Sequence, residues 1–220
     1  MKEVDVMPND PDTFIAGLVD DLVPVRPLRQ RRGMGWAMAA MAAGAVGLIS
    51  LTSLRADFAR GQPDALGLLS TGLFLVLALA SAWAVVDMAR PQVGSRREGW
   101  IWTALMAALL PLSALALMGL NQLNGASSGL LMDGTTCLKY GLIWGLLTAG
   151  VLVLWLRRGA PAQPARAGLL IGVAAGSAGS FAVSLYCPHS ELIHIGVWHG
   201  LTVVLAGLVG RLAIPPLVRW

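Results

Sequence analysis

Six runs of about 20 mostly apolar residues constrain this chain more than any other feature of its sequence. A helix of that length crosses about 30 Å of hydrocarbon while satisfying its own backbone hydrogen bonds. The composition agrees, because 13% of the residues are charged and a soluble domain carries about 25%. We predict an all-α membrane protein, a bundle of six transmembrane helices. The predicted spans are Met34–Leu54, Leu66–Met88, Trp100–Leu120, Cys137–Leu156, Ala167–Tyr186 and Leu192–Ile214.

The basic residues predict the orientation of these spans. Thirteen of the 16 Lys and Arg residues fall on one side of the predicted membrane, and only Arg55, Arg60 and Lys139 fall on the other. The basic side is cytoplasmic by the positive-inside rule, so both termini lie in the cytoplasm of a bacterial inner membrane. Residues 1–33 are polar and resemble no signal peptide, so we expect the first span to be an uncleaved anchor. The chain divides into a cytoplasmic tail, 1–33, and a membrane domain, 34–220.

The sequence offers few groups for catalysis or transport. It has no phosphate-binding loop, no dinucleotide fingerprint and no His-Glu-x-x-His zinc helix. Asp87 and Lys139 lie at span ends, and only His199 lies well inside a span, whereas transporters usually carry several intramembrane charges. We therefore expect no enzymatic activity, no required cofactor and no direct contact with nucleic acid. The fifth span is rich in glycine, including Gly172 and Gly176, which predicts an interior helix.

Two cysteines and three histidines gather on the predicted periplasmic side. Cys137 begins the fourth span and Cys187 ends the fifth, and an antiparallel hairpin with equal arms would return both to one level. His189 and His194 follow closely, and Asp133 precedes the fourth span. Thiolate and imidazole suit soft or borderline metal ions such as zinc, copper(I) or cadmium. We predict regulatory binding of such an ion, with the candidate ligands Cys137, Cys187, His189 and His194.

Three interpretations of the cysteines stay open. They could form a permanent disulfide that staples the hairpin, or a regulated pair that responds to metal or oxidant. A thiol–disulfide enzyme is disfavoured, because the chain has no Cys-x-x-Cys motif. His199 is either a buried hydrogen-bonded group or a residue that supports a ligand.

The tail contains a short amphipathic segment. Pro11 fits a first helical turn, and apolar residues then recur every three or four positions, at Phe14, Ile15, Leu18, Val19 and Leu22. A helix of about eleven residues is marginal alone in water, so its apolar stripe needs cover. It lies on the membrane, packs under the helix bundle, or lies in a groove on a cytoplasmic partner.

Three stretches resemble the NrsF family of bacterial membrane anti-sigma factors. The first is the segment Leu18–Leu28, LVDDLVPVRPL, in the tail. The second is GTTCL around Cys137, and the third is CPH at Cys187 with His194 and Trp198-His199. The six-span layout is also similar, so the resemblance covers nearly the whole chain.

The resemblance implies a function. Such proteins hold an extracytoplasmic-function sigma factor inactive through the N-terminal segment, and a periplasmic signal sensed with help from the cysteine pair releases it. The partners implied are this sigma factor and the lipid bilayer. The residues expected to bind the sigma factor are Phe14, Leu18, Asp21, Leu22, Pro24, Val25 and Arg26. The rival interpretations are a small metal or solute transporter that uses the Cys/His cluster, and a membrane oxidoreductase.

Overall fold

The computed structural model describes residues 11–20, 28–90, 112, 119, 134–159 and 161–218. Every regular element in these ranges is helical. The helices are α1 (Pro11–Asp20), α2 (Gln30–Leu51), α3 (Ala56–Ala59), α4 (Ala65–Met88), α5 (Thr135–Leu156), α6 (Pro164–Ser184), α7 (Leu192–Ala213) and α8 (Pro215–Val218). Within α7, residues Ile195–His199 form a π-helical turn.

Five of these helices are long and apolar enough to cross a membrane, namely α2, α4, α5, α6 and α7. The prediction of an all-α membrane protein is therefore confirmed. The predicted third span, Trp100–Leu120, lies outside the described residues, which include only 112 and 119 within it. The total of six spans and the orientation in the membrane stay predictions.

The five spans begin and end within a few residues of their predicted bounds. The largest difference is at α2, which begins at Gln30 rather than Met34 because Arg31 and Arg32 join its first turn. Long basic side chains can reach out of the hydrocarbon, so a membrane helix tolerates them at its end. Helix α6 begins at Pro164, a residue type that suits the first turn.

Helices α2 and α6 run in one direction through the bundle, and α4, α5 and α7 run in the other, so the bundle has two ends. At one end the connection between α2 and α4 meets the segment after α6, where the Arg55 N–H donates to the Leu185 carbonyl at 2.9 Å. We call this the cysteine end, because both cysteines lie there. At the other end Gln30 Nε2 donates to Asp87 Oδ1 at 2.5 Å. We call it the tail end, because α2 begins there, after the N-terminal segment.

Helix α6 lies at the centre of the bundle. In its most apolar stretch 89% of the residues are buried, compared with 28% for α2. Its glycines let two neighbours approach closely: a Cβ added to Gly172 would collide with the Ala206 backbone of α7, and one added to Gly179 with the Gly141 backbone of α5. The prediction that this span is an interior helix is confirmed.

The outward faces of the spans are apolar. Large side chains such as Val46, Leu69, Val76, Leu146 and Leu212 are more than half exposed. A water-soluble protein rarely exposes contiguous apolar surface of this extent. These faces suit contact with lipid chains, which leaves the cysteine end as the region where polar side chains are concentrated inside the bundle.

Candidate thiol and imidazole site

Cys137 and Cys187 meet at the cysteine end. Cys137 lies in the first turn of α5, and Cys187 lies three residues after the end of α6. The Cys187 N–H donates to the Val183 carbonyl at 2.8 Å, so the chain continues one turn beyond the helix and carries the thiol back toward α5. The two Sγ atoms are 3.5 Å apart without a disulfide bond, and both residues are buried. The equal arms of the hairpin thus bring the sulfurs into contact, as the spacing allowed.

Helix α7 adds two imidazoles. His194 Nε2 lies 3.5 Å from Cys187 Sγ, and the rings of His194 and His199 are 5.7 Å apart, centroid to centroid. In an α-helix of about 3.6 residues per turn, residues five apart point about 140° away from each other. The π turn Ile195–His199 has wider, i→i+5 bonding, which brings His199 onto the face of His194. The unusual backbone of α7 is therefore what assembles the site.

The resulting group is Cys137, Cys187, His194 and His199. All four are buried, and one potential ligand atom from each lies within 4.8 Å of the others. Tetrahedral zinc sites of two Cys and two His have metal–ligand bonds of about 2.0–2.3 Å, hence ligand atoms about 3.3–3.8 Å apart. The separations Cys137 Sγ–Cys187 Sγ and Cys187 Sγ–His194 Nε2, both 3.5 Å, fall in that range. The group could hold a metal ion after a small contraction.

Hydrogen bonds determine which nitrogen of His199 is available. Ser184 donates its hydroxyl hydrogen to the Ser180 carbonyl at 2.8 Å, so its contact with His199 Nδ1 at 3.2 Å requires Nδ1 to be the donor. Nε2 then carries a lone pair. In the described part of the chain this buried Nε2 has no hydrogen-bond partner. A buried acceptor without a hydrogen bond destabilises the folded chain. A cation bound to the Nε2 lone pair would remove that penalty.

The environment of Cys187 favours its thiolate. Its hydrogen bond with the Cys137 sulfur lowers the pKa of the Cys187 thiol, and the contact with His194 lowers it further, against the opposing effect of burial. The thiolate is both the nucleophile in disulfide chemistry and the metal ligand. The same geometry therefore suits soft-metal binding and oxidation.

His189, one of the four predicted ligands, lies beside this group. Its ring centroid is 4.9 Å from that of His194, and its Nδ1 is 3.8 Å from Glu191 Oε2 with the side chain 29% exposed. The structure thus brings together three of the four predicted ligands and adds His199, which the sequence analysis left undecided. Asp133 lies outside the described residues.

The predicted partner-binding residues lie only partly within the structure. Phe14 and Leu18 are on α1, with 48% and 53% of their surfaces exposed. Asp21, Leu22, Pro24, Val25 and Arg26 lie outside the described residues. The structure describes a helix at Pro11–Asp20, on which Phe14, Ile15, Leu18 and Val19 are exposed.

Arg55 is a site neighbour that the sequence analysis treated only as a charge. It is 8% exposed, and its Nη1 donates to the Cys187 carbonyl at 3.3 Å. Its Nε and Nη2 donate to the two carboxylate oxygens of Asp57 at 2.6 and 2.5 Å. This bidentate pair raises the pKa of Arg55 and holds the pKa of Asp57 well below its usual range. Nothing in the local sequence indicated this role.

Together these features define a helical membrane protein with a buried thiol–imidazole site at one end of the bundle and an exposed amphipathic helix in its N-terminal segment. The sequence profile of the NrsF family, described as "Negative regulator of sigma F", matches residues 18–220, and the chain belongs to this family.

Two relatives are similar over about two thirds of the chain. "Anti-sigma-F factor NrsF" of Caulobacter vibrioides (strain NA1000 / CB15N) is 31% identical over 160 residues, 68% of this chain and 69% of the relative. "Probable anti-sigma-F factor NrsF" of Azospira oryzae (strain ATCC BAA-33 / DSM 13638 / PS) is 28% identical over 155 residues, 69% and 71% respectively. No solved structure matches this chain. The resemblance noted in the sequence is confirmed.

Proposed function

We propose that this chain is a membrane-bound anti-sigma factor. It sequesters an extracytoplasmic-function sigma factor through its N-terminal segment and releases it when a periplasmic signal, a metal ion or an oxidant, reaches Cys137 and Cys187. Membership of the NrsF family and the names of both relatives support an anti-sigma role. Such a role is regulatory rather than enzymatic. It requires the tail end in the cytoplasm and the cysteine end in the periplasm, as the basic residues predict.

The uncovered apolar stripe of α1 is the observation that carries this proposal. Phe14, Ile15, Leu18 and Val19 each expose about half of their surface. A helix of 10 residues needs packing to be stable, because isolated helices below about 12–15 residues are marginal. A groove on a sigma factor would supply it, with residues at positions i, i+1, i+4 and i+5 as anchors.

Co-purification tests this binding. The tagged full-length chain is co-expressed with each extracytoplasmic-function sigma factor of its own genome in turn. We expect one of them to be retained, and Leu18→Asp to weaken retention at least about tenfold, because burial of a leucine contributes about 1.5–3 kcal/mol. The matched control is Ala16→Asp, which places the same charge on the opposite face of α1.

Two results would contradict the proposal. Retention of no sigma factor by the native chain would remove the anti-sigma role. Equal losses with Leu18→Asp and Ala16→Asp would show that charge rather than the apolar stripe governs binding.

The buried site supports the sensing half of the proposal. Two thiols in contact, one with a lowered pKa, and two imidazoles can respond to a thiophilic ion or to an oxidant. In a cell that reports sigma-factor activity, Cys137→Ser together with Cys187→Ser should abolish induction by cadmium or hypochlorite. Unchanged induction in the double variant would reject cysteine sensing while leaving sigma-factor binding intact.

A small metal transporter is the second candidate. The observation that favours it is His199, a buried imidazole within α7 and part of a group that could hold a metal ion. A transporter predicts zinc or cadmium flux by the purified chain in liposomes, with no need for a cytoplasmic partner. If the purified chain shows such flux and Cys187→Ser abolishes it, the transporter function would replace the regulatory proposal.

A further inference from the structure

Arg55 is the structural link between the cysteine site and the connection that joins α2 to α4. It is 8% exposed and bonds twice to the segment that carries Cys187: its N–H donates to the Leu185 carbonyl at 2.9 Å and its Nη1 to the Cys187 carbonyl at 3.3 Å. Two bonds to carbonyls two residues apart fix both the position and the direction of that segment.

The guanidinium is anchored on its own side as well. Asp57 accepts from Arg55 Nε and Nη2 and also from the backbone N–H groups of Phe58 at 2.9 Å and Asp64 at 3.2 Å. Asp64 in turn caps α4 by accepting from the Gly67 N–H at 3.0 Å. The connection is therefore a single bonded unit, and a shift of Arg55 is passed to the start of α4.

Gly67 shows how closely the guanidinium fits. A Cβ added at this position would collide with Arg55 Nη2. The arginine thus fills the space between the connection and α4. A shorter or differently shaped side chain would leave part of that space empty and weaken the packing of the connection against α4.

Helices α2 and α4 are also tied at the tail end. Gln30, the first residue of α2, donates from Nε2 to Asp87 Oδ1 near the end of α4 at 2.5 Å. The N-terminal segment joins the chain directly before this point. The two helices are thus linked at both ends, by the connection that contains Arg55 and by the Gln30–Asp87 hydrogen bond.

We propose that Arg55 transmits the state of Cys187 to the N-terminal segment by coupling residues 185–187 to the α2–α4 pair. This inference rests on the proposed function. When a cation such as Cd²⁺ binds, each cysteine coordinates it as a thiolate through a Cd–S bond, any remaining thiol proton passes to solvent, and the rearrangement around the ion shifts Cys187. Its carbonyl moves with it, and the arginine carries that motion to α2 and α4.

The test uses the full-length chain in nanodiscs, loaded with the sigma factor identified by co-purification. Cd²⁺ binding is followed by the thiolate-to-metal charge-transfer absorption, and release of the sigma factor by size-exclusion chromatography. For Arg55→Gln we expect Cd²⁺ binding and basal sigma-factor retention like those of the native chain, but Cd²⁺-induced release reduced about tenfold. Arg60→Gln, an exposed arginine in the same connection, is the matched control and should release normally.

The outcomes separate the two proposals. Native release with Arg55→Gln overturns the coupling alone, as does loss of Cd²⁺ binding, which would make Arg55 part of the site. A native chain that retains no sigma factor, or does not release it, overturns the proposed function together with the coupling.

A second variant and a measurement on the native chain apply if Arg55→Gln fails to fold. Arg55→Lys keeps the charge but cannot form the bidentate pair with Asp57, so it should release partially. In the native chain, Cd²⁺ should change amide hydrogen exchange at residues 28–33 and 55–60. Changes confined to 134–140 and 185–199 would overturn the coupling.

Discussion

At the scale of the residue, Ser184 determines which ring nitrogen of His199 carries the proton and which carries a lone pair. Its hydroxyl hydrogen is committed to the Ser180 carbonyl, so it accepts from His199 Nδ1 and leaves Nε2 with a lone pair. Outer hydrogen bonds of this kind orient a metal-ligating histidine and fix its tautomer. The Ser180 hydroxyl adds a bond to the His199 carbonyl at 2.9 Å, which holds the π turn against α6.

A prediction at this scale separates His199 from His189. We expect His199→Ala to weaken Cd²⁺ or Zn²⁺ binding by the full-length chain at least about 10–100-fold, because a buried ligand is lost. His189→Ala, at a partly buried neighbour of the same site, is the control and should bind nearly as the native chain does. Isothermal titration in detergent measures both. Equal affinities for His199→Ala and the native chain would remove His199 from the ligand set.

At the scale of the element, the backbone of α7 explains why the sequence predicted only part of the site. Apolar run length predicted the spans, and the equal arms about the α5–α6 connection allowed contact between the cysteines. The fourth member of the group could not be derived from an α-helical wheel, because the π turn Ile195–His199 changes the face on which His199 lies. The bonds of Arg55 could not be derived either, since nothing in the local sequence indicates that two of its partners are the carbonyls of Leu185 and Cys187, 130 and 132 residues away.

The contact between α5 and α6 yields a prediction at the same scale. We expect Gly179→Ala to lower stability by about 1–3 kcal/mol, because its Cβ would collide with the Gly141 backbone, which cannot rotate aside. The added methyl group should also push α5 away from α6, and this should slow disulfide formation between Cys137 and Cys187 by a mild oxidant. Thermal unfolding in detergent and thiol titration measure the two effects.

Gly150→Ala is the matched control for this substitution. It lies on α5 with open space around its position, so a methyl group there should leave stability unchanged or raise it slightly. A melting temperature for Gly179→Ala equal to that of Gly150→Ala would contradict the close packing of α5 on α6.

At the scale of the whole molecule, the described helices constrain the number of crossings. Ala89, just after α4, lies at the tail end, where it packs against Gly159. Gly134, just before α5, lies at the cysteine end against Trp198. The chain must return from one end to the other between these two points. The predicted span Trp100–Leu120 would supply that crossing and give an even total.

Reporter fusions test whether the number of membrane spans is even. With six spans and a cytoplasmic N-terminus, green fluorescent protein fused after Trp220 should fluoresce and alkaline phosphatase at the same point should be inactive. Phosphatase fused after Gln62, in the connection between α2 and α4, should be active because that connection faces the periplasm. An active phosphatase after Trp220 would indicate an odd number of crossings.

The depth of the thiols has a kinetic consequence. Cys187 is 1% exposed and Cys137 is 8% exposed. Ions and reagents can therefore reach the two thiols only when the bundle opens transiently, so opening rather than diffusion limits the rate. Small ions and uncharged oxidants would pass through such openings, whereas bulky reductants such as glutathione would be held out. If the site binds an ion as proposed, both binding and release should be slow, because each waits on the same transient opening of the bundle.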